Sequence, residues 1–332
     1  MVRIISFLIL FFPFALNAQT EELYLSRAAL AQENNNYQDA IDHVTKAIEL
    51  DSFNASYYEL RGRIIAGINV ENKRLEHISN RSFKNALADF NAALELEPYN
   101  PDFLQSRGLL YLNFRKYKDA LADFEQQLKY VRYTSQKISA MTGKARAKFE
   151  LKEFDASFKI LENALELDPS NILILNNIAF QYLTLEDFES ARRFLNKALA
   201  INSNHEISLV NMGFVALKSG KYEQALAIFN MIIERDPDIG FAYNNRGFVK
   251  YKFGQFEEAF NDINYSIELF PANSYAYKNR ALIYLATNQK AKACNDLLFA
   301  KSLGYTLDYD DEVINLLIDN CLEINQKKEP KD

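Results

Sequence analysis

The amino-acid sequence repeats itself with a period of 34 residues. When residues 206–307 are aligned by that period, a small residue occupies repeat position 8 each time, as Gly213, Gly247 and Ala281. A fixed period between about 20 and 50 residues is typical of a solenoid, in which each unit buries its apolar face against its neighbours. The period therefore predicts a stack of small units with long surfaces, and it favours binding over catalysis.

The alignment gives eight units over most of the chain. Their bounds are 21–54, 55–100, 101–134, 138–171, 172–205, 206–239, 240–273 and 274–307. In the unit that begins at Ile138, apolar and small residues recur at helical spacing, and Pro169 marks a turn because proline cannot continue a helix. Each unit is therefore predicted to form two helices. The second unit carries 12 additional residues, whose role the sequence does not indicate.

Two recurring glycine positions support the same frame. Glycine at position 8 predicts a close approach of the two helices, and it occurs as Gly62, Gly108, Gly213 and Gly247. Glycine at position 15 predicts the turn between the helices, because glycine accepts a positive φ. It occurs there as Gly220 and Gly254.

The first 18 residues stand apart from the units. Arg3 precedes an apolar run of about 13 residues, and Asn17 and Ala18 follow it, which is the layout of a secretory signal peptide. The run is shorter than the roughly 20 residues that span a bilayer. We therefore expect residues 1–18 to be removed on export, with no transmembrane anchor in the mature chain. An uncleaved anchor is the alternative.

The C-terminal end is predicted to close the stack, because a solenoid needs a polar cap. Residues 308–322 are expected to form a capping helix, and residues 323–332 a frayed tail. The apolar stripe of the cap would consist of Val313, Ile314, Leu317 and Cys321. Its acidic residues, Glu312 among them, are expected to face water.

Composition and motifs exclude several functional classes. The net charge is −6 and no cluster of Lys and Arg matches a phosphate backbone, so nucleic acid is not expected as a partner. The three histidines lack metal-ligand spacing, and no phosphate-binding loop, nucleophile elbow or dinucleotide fingerprint occurs. We therefore predict no catalytic residue, no metal and no cofactor.

This pattern resembles the tetratricopeptide repeat family. In the unit that begins at Ile172, the family's characteristic positions hold Leu175, Ile178, Ala179, Tyr182, Ala191, Leu195, Ala198 and Ser203. The resemblance covers residues 21–307. It implies an all-α, right-handed superhelical solenoid of eight two-helix repeats, whose first helices line a concave groove. It names no ligand.

One charged pairing emerges when the units are compared with one another. Four units carry Arg at position 7 together with Asp at position 23. These pairs are Arg61 with Asp89, Arg107 with Asp123, Arg246 with Asp262, and Arg280 with Asp296. Two other units replace both residues by apolar ones. We interpret each pair as a structural ion pair between the two helices of one unit, with no catalytic role.

A second pattern points towards binding. Asparagine recurs at position 6 as Asn177, Asn211, Asn245 and Asn279, and phenylalanine at position 9 as Phe180, Phe214 and Phe248. Positions three apart share a helix face, and in the repeat family that face lines the groove. Carboxamides pair with a peptide backbone because they both donate and accept hydrogen bonds. These residues are therefore the candidate peptide-binding groove, and packing between adjacent helices is the alternative interpretation.

Cys294 and Cys321 are the only cysteines. An exported protein meets an oxidising compartment, which favours a disulfide. Adjacent helices of the stack run antiparallel, so the two cysteines should lie together and bridge the last repeat to the cap. Two free buried thiols are the alternative.

The sequence thus predicts a non-catalytic scaffold or adaptor of the cell envelope, periplasmic or associated with the outer envelope, with secretion also open. Its partner would be another protein or an extended peptide, bound in the groove of units five to eight. A structural spacer without a groove ligand is one alternative. An accessory subunit of an envelope enzyme or glycan-handling system is another.

Overall fold

A computed structural model describes residues 20–71, 76–305 and 311–326. Within these residues every regular element is an α-helix. No described helix combines the length and the apolar character that crossing a membrane would require. The predicted signal peptide, residues 1–18, lies outside the described residues.

The chain divides into two compact units, Met1–Leu167 and Asp168–Asp332, called unit 1 and unit 2 here. In unit 1, α1 spans residues 20–33. The helices that follow are α2 (Tyr37–Leu50), α3 (Ala55–Glu71), α4 (Glu76–Leu96), α5 (Pro101–Asn113), α6 (Tyr117–Tyr130), α7 (Thr134–Glu150) and α8 (Phe154–Leu167).

Unit 2 continues the same alternation of paired helices. Its elements are α9 (Ile172–Thr184), α10 (Phe188–Ile201), α11 (Glu206–Lys218), α12 (Tyr222–Arg235), α13 (Gly240–Lys252), α14 (Phe256–Leu269), α15 (Ser274–Ala286), α16 (Lys290–Ser302) and α17 (Glu312–Gln326). The predicted all-α stack of helix pairs with a final cap is therefore confirmed for the described residues.

Three helices differ in length from the sequence prediction. The additional residues of the second repeat lengthen α3 to 17 residues and α4 to 21 residues. The cap, α17, begins at Glu312 and reaches Gln326, beyond the predicted end at residue 322. No glycine or proline occurs between that residue and Pro330, so nothing in the local sequence ends the helix earlier.

In every repeat except the second, the turn inside the helix pair uses one backbone conformation at repeat position 15. Gly220 and Gly254 have φ of 72° and 76°, as the sequence predicts. Non-glycine residues occupy the same position and the same left-handed region in other repeats, namely Asn35, Arg115, Lys152, Glu186 and Asn288. The turn geometry is thus set by the 34-residue frame, and glycine only lowers its cost.

Side-chain caps fix where several helices begin. Asn100 accepts hydrogen bonds from the backbone of Asp102 and Phe103, and Pro101 occupies the first helical position. Asn171 and Asp187 cap α9 and α10 through their side-chain oxygens in the same way. These residues satisfy backbone donors that a helix start would otherwise leave unpaired.

The first helices of the repeats lie close to one another. In unit 2, α9 contacts α11, α11 contacts α13, and α13 contacts α15, in addition to the pairing of each helix with its sequence neighbours. These four helices are called the first-helix layer here. Because α17 packs on α16, the last repeat is covered at its C-terminal side.

Glycines within the first helices allow an aromatic ring to enter between repeats. The Phe124 side chain on α6 is fully buried. A Cβ atom built on Gly143 would stand 2.5 Å from its ring, and one on Gly108 would stand 2.9 Å away. Any larger residue at these positions must displace the ring or separate the helices.

We expect Gly143→Ala to lower the free energy of unfolding by about 1–3 kcal/mol, because the added methyl group overpacks the Phe124 site. Urea unfolding followed by circular dichroism measures the change. Gly67→Ala is the matched control, since nothing lies within 4 Å of its Cβ position. It should be neutral or stabilise by up to about 1 kcal/mol. Equal effects of the two substitutions would contradict the packing argument.

Candidate functional site

The structure brings each position-7 arginine together with the position-23 aspartate of the same repeat. Arg107 donates from Nε and Nη2 to the two oxygens of Asp123, at 2.9 and 2.7 Å. The three other pairs make the same two-point contact, namely Arg61–Asp89, Arg246–Asp262 and Arg280–Asp296. Such paired hydrogen bonds hold a guanidinium group in one orientation.

The remaining guanidinium donor reaches the preceding repeat. Nη1 of Arg107 donates to Asn91 Oδ1 at 2.8 Å, and Nη1 of Arg246 donates to Asn230 Oδ1 at 3.0 Å. Thr45 and Asn264 receive the same bond in the other two cases, from Arg61 and Arg280. All four acceptors stand at repeat position 25, so each arginine joins two consecutive repeats.

The electrostatics of these pairs fit a structural role. Hydrogen bonds and charge from Asp123 raise the pKa of Arg107 above its ordinary value, and burial only partly opposes them. The Asp123 carboxylate is 7% exposed, so solvent cannot replace its partner. Each of these arginines therefore has hydrogen-bond partners both in its own repeat and in the preceding one.

The last repeat and the cap are joined covalently. Cys294 on α16 and Cys321 on α17 form a disulfide, with their Cα atoms 5.8 Å apart and a sequence separation of 27. Val313 is fully buried beside Leu297, and Leu317 packs against the same cluster. The cap is therefore fixed to the end of unit 2 by a bridge and by apolar packing.

The asparagine row is partly occupied by bonds inside the first-helix layer. Asn211 donates to Asn176 Oδ1 at 3.4 Å, and Asn279 donates to Asn244 Oδ1 at 3.0 Å. Asn245 accepts from the side chain of Asn244 at 3.3 Å. The amides at position 6 thus bond to asparagines at position 5. Asn211 and Asn279 reach position 5 of the preceding repeat, because the first helices lie so close together.

These bonds correct one expectation. Asn279 is only 2% exposed, so it does not line an open surface as the sequence analysis expects. Asn177, Asn211 and Asn245 are half-buried and keep part of their surface accessible.

The phenylalanine row grades from exposed to half-buried. Phe180 is 58% exposed, whereas Phe214 and Phe248 pack partly into the apolar cluster of α11–α13. Lysine ammonium groups lie over the two half-buried rings. Lys218 Nζ stands 5.5 Å from the centre of the Phe214 ring, and Lys252 Nζ stands 5.0 Å from that of Phe248.

A third row of exposed apolar residues, at repeat position 2, was not predicted from the sequence. Leu173, Ile207 and Phe241 occupy repeat position 2 of α9, α11 and α13, and they are 62%, 51% and 50% exposed. Positions 2 and 9 are seven residues apart and lie on one side of a helix. Together the two rows form an apolar stripe along the first-helix layer, which consists of Leu173, Phe180, Ile207, Phe214, Phe241 and Phe248. The 34-residue spacing at position 2 was the signal that could have revealed it.

Unit 1 carries no such stripe among its described residues. Its four repeats have Glu22, Ser56, Asp102 and Ser139 at position 2. Position 9 there includes Arg63 and Arg146. Among the described residues, the apolar stripe is therefore a property of unit 2.

The cap contributes a charged cluster to the end of the first-helix layer. Lys278 on α15 has a side chain 4% exposed, and its Nζ stands 3.1 Å from Glu312 Oε2. The Tyr305 hydroxyl donates to the same oxygen at 3.0 Å. Glu312 thus does not simply face water as predicted, because a buried lysine needs a carboxylate partner.

The charge balance of this cluster follows from its contacts. Burial raises the pKa of Glu312, but the charge and hydrogen bond of Lys278, the Tyr305 hydroxyl and the charge of Lys218 together bring it below its ordinary value. Three aromatic rings surround the Lys278 ammonium at 4.9 to 5.8 Å, those of Tyr275, Phe248 and Tyr305.

Chemistry-bearing clusters are sparse in the described part of the chain. No group of three or more His, Cys, Asp or Glu there could hold a metal ion. His205 caps α11 through the backbone of Ser208, and His43 stands 3.6 Å from Asp39. The side chain of His77 lies outside the described residues.

Two stretches of the chain match family models described as tetratricopeptide repeat. They cover residues 138–171 and 182–243. These matches support the tetratricopeptide repeat assignment made from the sequence. Members of this repeat family generally act as scaffolds for protein interaction. No curated protein sequence matches the chain.

Solved structures with a similar fold come from several assemblies. The APC/C hetero-tetramer Cut9-Hcn1 aligns with a TM-score of 0.58 at 18% identity, over 90% of this chain and 55% of the other. PilW, a widely conserved type IV pilus biogenesis factor, aligns with a TM-score of 0.53 at 16% identity, over 66% and 94%. PilF of Pseudomonas aeruginosa aligns with 0.50 at 14% identity, over 67% and 94%. At these identities the likeness shows the fold alone.

Proposed function

We propose that unit 2 binds an extended segment of another protein along the apolar stripe. The chain would serve as a non-catalytic interaction scaffold in the cell envelope. The observation that carries this proposal is the exposure of Leu173, Ile207 and Phe241, which recur at one position of three consecutive first helices. A folded chain gains nothing from exposing such a row, whereas a partner that covers it gains apolar burial.

The spacing of the stripe suits an extended partner. Packed helices lie about 8–10 Å apart, and an extended segment in the polyproline-II conformation rises about 3.1 Å per residue with three residues per turn, so every third side chain faces the same way. A partner crossing α9, α11 and α13 would therefore place an apolar side chain on each helix at about every third residue. The accessible amides of Asn177 and Asn211 flank that path and offer donors and acceptors to a peptide backbone.

The proposed location rests on two features of the chain. A signal peptide at residues 1–18 would direct export, and the Cys294–Cys321 bridge suits an oxidising compartment. Both features agree with a scaffold that works outside the cytoplasm.

The test compares partner binding by two triple variants. Proteins that bind the immobilised chain from envelope extracts are identified by mass spectrometry, and the affinity of a purified partner is then measured by calorimetry. The variant Leu173→Ser, Ile207→Ser, Phe241→Ser should weaken binding at least about 100-fold, because apolar anchors dominate interface energies. It should retain the helical circular dichroism of the unmodified chain.

The matched control removes three exposed apolar side chains from second helices. These are Ile201, Tyr265 and Leu298, which are 47%, 38% and 56% exposed. Their replacement by serine should leave the affinity within about twofold, since they lie off the stripe. Unchanged affinity of the stripe variant, or equal losses in both variants, would refute the proposal and favour a structural spacer.

A further inference from the structure

The stripe of unit 2 is bordered by positive charge in a chain that is acidic overall. Four lysines lie on the first-helix layer. Lys250 pairs with Asp262 on the second helix of its own repeat, and the other three are Lys218, Lys252 and Lys278. At repeat positions 2, 5, 6, 9 and 13, the four first helices of unit 2 carry no Asp or Glu. The whole chain nevertheless has 44 acidic and 38 basic residues. The positive border is therefore local and does not follow from composition.

One of these lysines already holds a carboxylate. Lys278 is buried among three aromatic rings, and the cap supplies Glu312 to it at 3.1 Å. The charge of Lys218 also helps to lower the pKa of Glu312. This end of the first-helix layer thus accepts an acidic side chain brought in from outside the layer.

The two other lysines point their charge at aromatic rings of the stripe. Lys218 lies over Phe214, and Lys252 lies over Phe248 and Tyr251, at 5.0 and 5.7 Å. Both are exposed, and neither forms an ion pair with a carboxylate among the described residues. An ammonium group over a ring at an exposed site is held only weakly, so each of these lysines can also pair with a carboxylate of a partner.

The equivalent positions of unit 1 are acidic on balance, because five acidic residues outnumber the two arginines, Arg63 and Arg146, at position 9. Glu22 and Asp102 occupy position 2 there, and Glu59 occupies position 5. An acidic segment would be repelled by these residues and attracted by the lysines of unit 2. Charge complementarity therefore selects both the unit and the kind of partner.

We propose that the segment bound by unit 2 is acidic as well as apolar. Its apolar side chains would lie on the stripe, and Asp or Glu residues between them would pair with Lys218 and Lys252. This inference rests on the proposed function and specifies its partner chemistry. It commits to an extended segment of a different protein.

The test selects peptides from a library of random 12-residue sequences displayed on phage. The unmodified chain, the variant Lys218→Gln, Lys252→Gln and the control Lys197→Gln, Lys301→Gln are each used as bait. The control removes the same charge from the exposed second-helix lysines of α10 and α16. A selected peptide and its amide twin, with every Asp and Glu changed to Asn and Gln, are then titrated by fluorescence anisotropy.

The unmodified chain and the control should enrich peptides with apolar residues and an excess of Asp and Glu. The amide twin should bind about 10-fold more weakly, because exposed ion pairs contribute modestly to affinity. The Lys218→Gln, Lys252→Gln variant should lose the preference for acidic peptides, because charges at the edge of an interface select the partner. Binding of the acidic peptide should also weaken as salt is raised.

Other outcomes separate the two proposals. Enriched peptides that are neutral or basic, or twins that bind equally well, would overturn the acidic preference and leave the stripe as a binding surface. Absence of any enriched peptide, or binding that survives in the Leu173→Ser, Ile207→Ser, Phe241→Ser variant, would overturn both. Light scattering that shows a dimer lost in that variant would assign the stripe to a second copy of this chain and also refute the inference.

Discussion

Replacing Arg107 by Met is expected to lower the free energy of unfolding by about 3–5 kcal/mol. The substitution leaves Asp123 buried at 7% exposure without its two hydrogen bonds, and an unpaired buried charge is costly. It also removes the bond to Asn91 in the preceding repeat, so two neighbouring repeats lose a link at once. Urea unfolding, followed by circular dichroism, measures the loss.

The chain itself supplies the control for this experiment. The repeat that begins at Glu206 has Met212 at position 7 and Ile228 at position 23, where other repeats have the ion pair. The double variant Arg107→Met, Asp123→Ile reproduces that apolar contact. It should recover most of the stability, because a well-packed apolar pair often equals a buried ion pair. If the double variant were as unstable as the single one, the loss would come from packing and the buried charge would not be its cause.

These arginine pairs show what comparison between repeats can and cannot predict. Arg246 and Asp262 belong to one repeat at fixed positions, and their joint presence or absence indicated a contact. The third partner, Asn230, lies in the preceding repeat, so no comparison within single repeats could reveal it. Only the stacking of repeats brings position 25 of one repeat against position 7 of the next repeat.

The surface rows were harder to predict for the same reason. The exposure of a side chain depends on how closely neighbouring first helices approach, and the sequence of a single repeat does not specify that distance. Asn279 is therefore buried although its sequence context matches that of Asn211. Leu173, Ile207 and Phe241 are exposed, although apolar residues at helical spacing ordinarily indicate a core. Only their exposure at the same position of three repeats identifies these residues as a surface row that is distinct from the core.

The cap shows a different limit. Its apolar residues predicted the packing of α17, because helical spacing places Val313 and Leu317 on one side. Glu312 and Lys278 are 34 residues apart in sequence, but Lys278 lies on the first helix of a repeat and Glu312 lies on the cap. Comparison between repeats therefore could not predict their pairing. A long-range ion pair of this kind becomes visible only when the cap is placed on the stack.

Removal of the disulfide by Cys294→Ser, Cys321→Ser is expected to destabilise the end of unit 2 by about 3 kcal/mol. The bridge closes a loop of 27 residues, and its main effect is to restrict the unfolded chain. A terminal repeat has only one neighbour in the stack, so it depends on such a constraint more than an internal repeat does. The urea-unfolding midpoint should fall, and amide hydrogen exchange in α17 should accelerate before that in α9.

The consequence extends from the cap to the binding surface. When α17 detaches, Lys278 loses the carboxylate of Glu312 and remains buried among aromatic rings, which is unfavourable for its charge. The first-helix layer should therefore loosen at α15 while α9 and α11 stay folded. A reducing agent added to the unmodified chain should reproduce the effect of the double variant, and the variant itself should not respond to it. Two free thiols found by titration of denatured, unreduced protein would contradict the bridge, and an unchanged midpoint in the variant would show that apolar packing alone holds the cap.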